Sequence, residues 1–153
     1  HRVVVFNQEG ETVREFGGEK ELSAPTALAA WEDSIYVLDP ERHRVQVYSA
    51  GGALLKSLAW DGVRWPSAFA IDPETGLFFV ADPKYQLVHV FDERGASLSA
   101  FGVGGSGPDQ FRSLSFLHVD ANRRIYVVDS QAGSVLLFRE TTANVAAPSA
   151  ATR

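Results

Sequence analysis

The sequence predicts an all-β fold made of repeated four-stranded antiparallel units, and three observations carry that reading. Four short apolar runs each end in an aromatic: Arg2-Val-Val-Val-Phe6, Arg44-Val-Gln-Val-Tyr48, Leu87-Val-His-Val-Phe91 and Ser134-Val-Leu-Leu-Phe138. Their aromatics lie 42, 43 and 47 residues apart. A second series, Ile35-Tyr-Val-Leu-Asp39, Phe78-Phe-Val-Ala-Asp82 and Ile125-Tyr-Val-Val-Asp129, repeats at 43 and 47 residues. No stretch carries an amphipathic helix pattern of about ten residues or more. Four antiparallel strands recurring at this period are the blades of a β-propeller. About three blades are present, from about thirteen strands.

The elements follow in order. Arg2–Phe6 and Thr12–Phe16 are the last strands of a preceding blade, within residues 1–18. The first full blade, 19–60, reads as strands Thr26–Trp31, Ser34–Asp39, His43–Ser49 and Ala53–Trp60. Glu32-Asp33, Asp39-Pro40 and Ala50-Gly51-Gly52 supply its turns. The second, 61–102, repeats the scheme with turns at Pro73–Gly76, Asp82-Pro83 and Asp92–Gly95. The partial third, 103–139, gives Ser115–Asp120, Arg124–Asp129 and Ser134–Arg139. Its extra residues fall in Gly102–Asp109, a connector longer than its counterparts near Gly17–Ala24 and Asp61–Arg64. Loops absorb insertions more easily than strands do. Residues 140–153 are small and polar and read as a flexible tail or linker.

Composition narrows the function classes. With 45% hydrophobic and 22% charged residues, the chain reads as globular rather than disordered. Its longest apolar runs, Ala27–Trp31 and Leu77–Ala81, are five residues, against the roughly 20 of a membrane helix. The absence of cysteine excludes disulfides, thiolate zinc sites and cysteine nucleophiles. A net charge of −5 argues against general nucleic-acid binding. Methionine is absent even at position 1, so His1 is not an untouched translation start. Arginine outnumbers lysine 11 to 3, which favours a GC-rich bacterial gene. Missing cysteine and methionine favour an extracytoplasmic, oxidising place.

The chain resembles the NHL-repeat family of propellers from residue 1 to about 139. The likeness rests on Phe101-Gly-Val-Gly-Gly-Ser-Gly-Pro-Asp-Gln-Phe111, Pro66-Ser-Ala-Phe-Ala-Ile-Asp72, the Tyr-Val-x-Asp strands and His43-Arg-Val-Gln-Val-Tyr48. The resemblance implies six-bladed rings of roughly twice this length. Three blades are then half of a ring, and exposed blade edges are expected to be covered by additional chain or a neighbouring subunit. The family's Asn-His-Arg lead becomes Gln86-Leu87 and Gly133-Ser134, Trp31 replaces an expected aspartate and Leu114 an expected proline.

Histidines are the first candidates for chemistry. His118 replaces Ala29 and Ala70 on an innermost strand. Distant relatives with amidating-lyase activity hold a metal with inner-strand histidines, but only one stands on inner strands here. His118 is therefore the sole metal candidate, and the expectation is a structural histidine with no metal and no cofactor. His89 is expected to face outward from its strand. Asp39, Asp82 and Asp129 recur once per blade, which predicts a structural role as acceptors for the turn that follows each. No nucleophile elbow, zinc-protease motif or phosphate loop is present. Gly102–Gly107 precedes a strand, so no helix N-terminus follows to hold a phosphate.

The loops point to binding. Trp60, Arg64, Trp65, Lys84, Tyr85 and Arg112 fall on connectors or turns expected on one face. Trp, Tyr and Arg are enriched at interaction hot spots. The alternative for both tryptophans is packing between blades. Some NHL propellers bind RNA, but Lys20, Arg42, Arg64, Lys84 and Arg112 are offset by Glu19, Glu21, Glu41, Asp61 and Asp109, and phosphate contact needs a positive field. The expectation is a non-catalytic module presenting its loops to a partner protein. A metal-dependent lyase or hydrolase using the propeller channel and an RNA-binding propeller are the alternatives.

Overall fold

A computed structural model describes residues 1–63, 65–107 and 110–139. Readings that fall on Arg64, Pro108, Asp109 and the 140–153 tail lie outside the described residues. The described chain holds thirteen strands and one short 3-10 turn, in four antiparallel sheets. It divides into two compact units, 1–59 and 60 onward.

In the first unit, β1 (Arg2–Phe6) pairs with β2 (Thr12–Gly17), and β3 (Ala27–Trp31), β4 (Ser34–Asp39), β5 (Arg44–Ser49) and β6 (Leu54–Leu58) form an up-and-down sheet. The expected turn at Asp39-Pro40 is a 3-10 turn, Pro40–Arg42, closed by His43 in the left-handed region at φ 53°. β5 therefore starts one residue later than expected. Proline suits the first turn position because its missing N–H has no partner there anyway. Val3, Leu22, Val37 and Tyr48 pack together with Phe16 and Ile35 at their edge. Within β3–β6, Gln46 is buried, donating to the Glu21 carbonyl at 2.9 Å and accepting from the Ser57 hydroxyl. Arg44 donates to the same Glu21 carbonyl, and Arg42 to those of Glu19 and Lys20, so β5 and the 3-10 turn hold the loop ahead of β3.

The second unit contains the sheet β7 (Ala68–Ile71), β8 (Phe78–Asp82), β9 (Leu87–Phe91) and β10 (Ser97–Phe101), and the sheet β11 (Leu114–Val119), β12 (Arg124–Asp129) and β13 (Ser134–Arg139). β7 and β8 are buried along their whole length. Such strands read as continuous apolar runs rather than alternating ones, because both faces are covered. Ala68, Ala70, Phe79, Ala81, Val88 and Val90 share one cluster with Leu117, Val119, Ile125 and Val127. The two sheets thus pack face to face through alternate residues. The other face of β11–β13 leaves Phe116, Val135 and Leu137 exposed.

The glycine-rich connector is built around Phe111. Phe111 is fully buried, pairs its backbone with Val103 and Gly105, and packs its ring on Phe138 at 5.7 Å. Gly102 sits at φ 96°, where a Cβ would collide with that ring. Gly102→Ala is expected to lower stability by about 2 kcal/mol through overpacking and backbone strain, read as a loss in chemical denaturation midpoint at unchanged slope.

Candidate functional site

The recurring aspartates build the loops from beneath. Asp39, Asp82 and Asp129 are all buried at the ends of β4, β8 and β12. Asp129 accepts four backbone N–H bonds: Arg112 at 2.6 Å and Ser113 at 3.0 Å from the preceding connector, Gln131 at 3.1 Å and Ala132 at 2.9 Å from the following turn. Burial pushes its carboxyl up, but the four donors prevail and hold it below its ordinary value. Asp82 accepts from Lys84 and Tyr85 in the following turn, at 2.9 and 3.2 Å. Asp39 departs from the expected pattern. It accepts from the backbone N–H groups of Ser23 and Ala24 at 2.7 and 3.1 Å, in the preceding connector, with the Arg42 Nε 3.7 Å away. The 3-10 turn takes no cap bond from its side chain and is closed through the backbone, the His43 N–H donating to the Pro40 carbonyl.

Asp82 anchors the turn that presents Lys84 and Tyr85. These two, with Gly62, Trp65 and Asp82, line a cleft of about 260 Å³. Trp65 and Tyr85 are 55% and 56% exposed, an unusual state for large aromatics. The Lys84 Nζ stands 5.1 Å from the centroid of the Tyr85 ring, within cation–π range. The cleft therefore combines two apolar ring surfaces and one cation over a rigidly held turn.

The other sequence candidates separate from this group. Arg64 lies outside the described residues. Trp60, expected among the surface contacts, is instead buried at 6% exposure. Its ring stacks on Phe91 at 5.7 Å and tilts against Phe78 and Phe69 at 5.7 and 5.9 Å. The reason is that three phenylalanines of its own unit surround the ring and bury its apolar surface. Arg112 is exposed but lines a different groove, with Gln86, Gly105, Ser106, Phe111 and Gln131. His118 is exposed on β11, opposite Tyr126 of β12, with ring centroids 6.1 Å apart. Among the described residues, no three His, Cys, Asp or Glu side chains gather as a metal site.

His89 corrects another expectation. It does not face outward: its side chain is half-buried, 3.6 Å from the Asp82 carboxylate and stacked on Phe91. Its ring is held by Phe91 of its own strand and by Asp82 of the adjoining β8. Burial lowers the imidazole pKa below 6.5, and Asp82 only partly opposes this. A His with a depressed folded pKa stabilises fully above its unfolded value, and that contribution is lost as pH falls through about 6.5 toward the folded pKa. The thermal midpoint is expected to drop between pH 7 and 5, and His89→Gln to flatten that part of the profile. The loss tied to Asp129 comes later, below about pH 4, because its folded pKa is depressed.

Comparison with known proteins places this architecture. Residues 70–145 match a family described as a 6-bladed β-propeller. The chain is 27% identical over 109 residues to Protein brain tumor of Drosophila melanogaster, covering 67% of this chain and 10% of that protein. Among solved structures, a catalytically inactive virginiamycin B lyase from Staphylococcus aureus with quinupristin superposes at a TM-score of 0.62, with 12% identity over 92% of this chain and 49% of the lyase. The WD40 β-propeller domain of Doa1 gives 0.63, with 14% identity over 91% of this chain and 44% of that domain's chain. The chain spans a tenth of the curated relative and about half of these structures. The fold is all-β, with antiparallel propeller sheets. These likenesses support the resemblance to NHL-like propellers, for part of a propeller. No helix among the described residues is long and apolar enough to cross a membrane.

Proposed function

We propose that the chain is a non-catalytic binding module that captures a partner protein through the Trp65–Lys84–Tyr85 cleft. The observation that carries this is two large aromatic rings, each more than half exposed, bordering one cleft whose turn is fixed by the buried Asp82. Pre-ordered aromatics lose little freedom on binding, so most of their apolar burial is available as affinity. Lys84 adds a charge that orients an approaching acidic group and raises the rate of encounter. Propeller blades suit this role because a stiff sheet scaffold carries loops without deforming under them.

Trp65→Ala tests the reading. Removing an aromatic anchor is expected to weaken partner binding by about 2 kcal/mol, while an exposed loop substitution changes stability by less than about 0.5 kcal/mol. Unimpaired capture together with a thermal midpoint several degrees lower would assign Trp65 to packing and reject the surface.

A further inference from the structure

We propose that the cleft bordered by Trp65 and Tyr85 takes a proline-rich segment of its partner, in the extended polyproline II form. This names the chemistry of the occupant and rests on the partner-binding reading of the same cleft.

The size and surroundings of the cleft select among the ways a protein takes up a peptide. Its volume is about 260 Å³, below the roughly 300–1,000 Å³ of sites that enclose a small molecule. A helix about 10–12 Å across needs a longer groove, with anchors on successive turns. Strand addition needs an open sheet edge. Of the described residues lining the cleft, only Asp82 comes from a strand, and its strand β8 is paired on both sides, by β7 and β9. Gly62 and Trp65 belong to the connector before β7, and Lys84 and Tyr85 to the turn between β8 and β9. What the cleft offers is aromatic ring surface carried on two loops, and proline-rich segments dock on surfaces of that kind.

Both rings are held in place by the chain around them. Trp65 stands in sequence between the buried Val63 and the buried Pro66, and the residue before a proline is confined to extended backbone. Ser67 ties the same connector down: its amide donates to the Ala81 carbonyl at 3.2 Å and its hydroxyl to the Leu114 carbonyl at 2.8 Å. On the other loop, the Lys84 and Tyr85 amides donate to the Asp82 carboxylate. Gln86 follows them in the left-handed region at φ 55°. A fixed site and a stiff ligand lose little conformational freedom on meeting. Proline presents an apolar ring to stack and has no N–H to leave unpaired. The carbonyls of a polyproline II helix make no bonds within it, and the exposed Tyr85 ring carries a hydroxyl that supplies a donor for one of them.

The test is amide NMR of the 153-residue chain titrated with a polyproline peptide of about nine residues, three turns of that helix. A glycine–serine peptide of the same length is run in parallel. Saturable shifts centred on Gly62, Trp65, Lys84 and Tyr85 are expected with polyproline and not with glycine–serine. Trp65→Ala should weaken binding at least about tenfold. Tyr85→Phe, which keeps the ring and loses the hydroxyl, should weaken it several-fold. Lys56→Ala, which removes one exposed cation of the first unit, should leave it unchanged. Equal shifts with the two peptides, shifts confined to other residues, or polyproline binding indifferent to Trp65→Ala would overturn the assignment. The outcome is separable from that of partner capture: partner binding lost in Trp65→Ala, with no response to polyproline, keeps the docking surface and rejects the proline-rich occupant.

Discussion

Asp129→Ala is expected to destabilise the protein by about 3–5 kcal/mol, among the largest effects a single polar side chain can have here. Four N–H groups lose one acceptor at once, two from the connector and two from the turn. Each donor that water cannot reach costs about 1–3 kcal/mol, and partial access to solvent keeps the sum below the simple total. Asp39→Ala is expected to cost about half as much, because it takes the acceptor from the Ser23 and Ala24 N–H groups. Urea denaturation of both variants checks the ranking. Equal losses, or a loss under about 1 kcal/mol for Asp129→Ala, would remove the aspartates from their place as loop anchors.

Trp60→Ala is expected to cost about 3–5 kcal/mol through the cavity it leaves among Phe69, Phe78 and Phe91. The Trp60 indole N–H is buried with no hydrogen-bond partner. Trp60→Phe, which removes that donor and keeps a ring, should therefore cost much less than the alanine variant. This behaviour is the reverse of that expected at Trp65, only five positions later. One tryptophan supports folding and the other is offered to solvent. Calorimetry of the three variants reads the difference directly.

The two tryptophans also mark where the sequence could be read and where it could not. The repeat was legible because every blade needs the same aromatic and aspartate at the same strand positions, and two series kept one spacing. Strand ends were legible to within one or two residues, since Gly, Pro and Asp set the turns. Trp60 and Trp65 look alike in such a reading, because both flank the same connector. Burial is decided by what the second unit places beside each, and sequence spacing does not encode that. The same limit applies to His89, whose neighbour Asp82 comes from the adjoining strand. Periodicity marked the aspartates as structural; that Asp39 accepts from the preceding connector, where a bond to the following turn was expected, needed the structure.

The most direct measurement is site-specific photo-crosslinking from position 85. A benzophenone side chain introduced at Tyr85 in the source cells, followed by mass spectrometry, reads what touches the cleft. The account predicts one dominant protein adduct, abolished when Trp65→Ala is introduced in the same chain and retained with Lys56→Ala. No protein adduct from position 85, or an adduct indifferent to Trp65→Ala, would contradict a docking surface at this cleft.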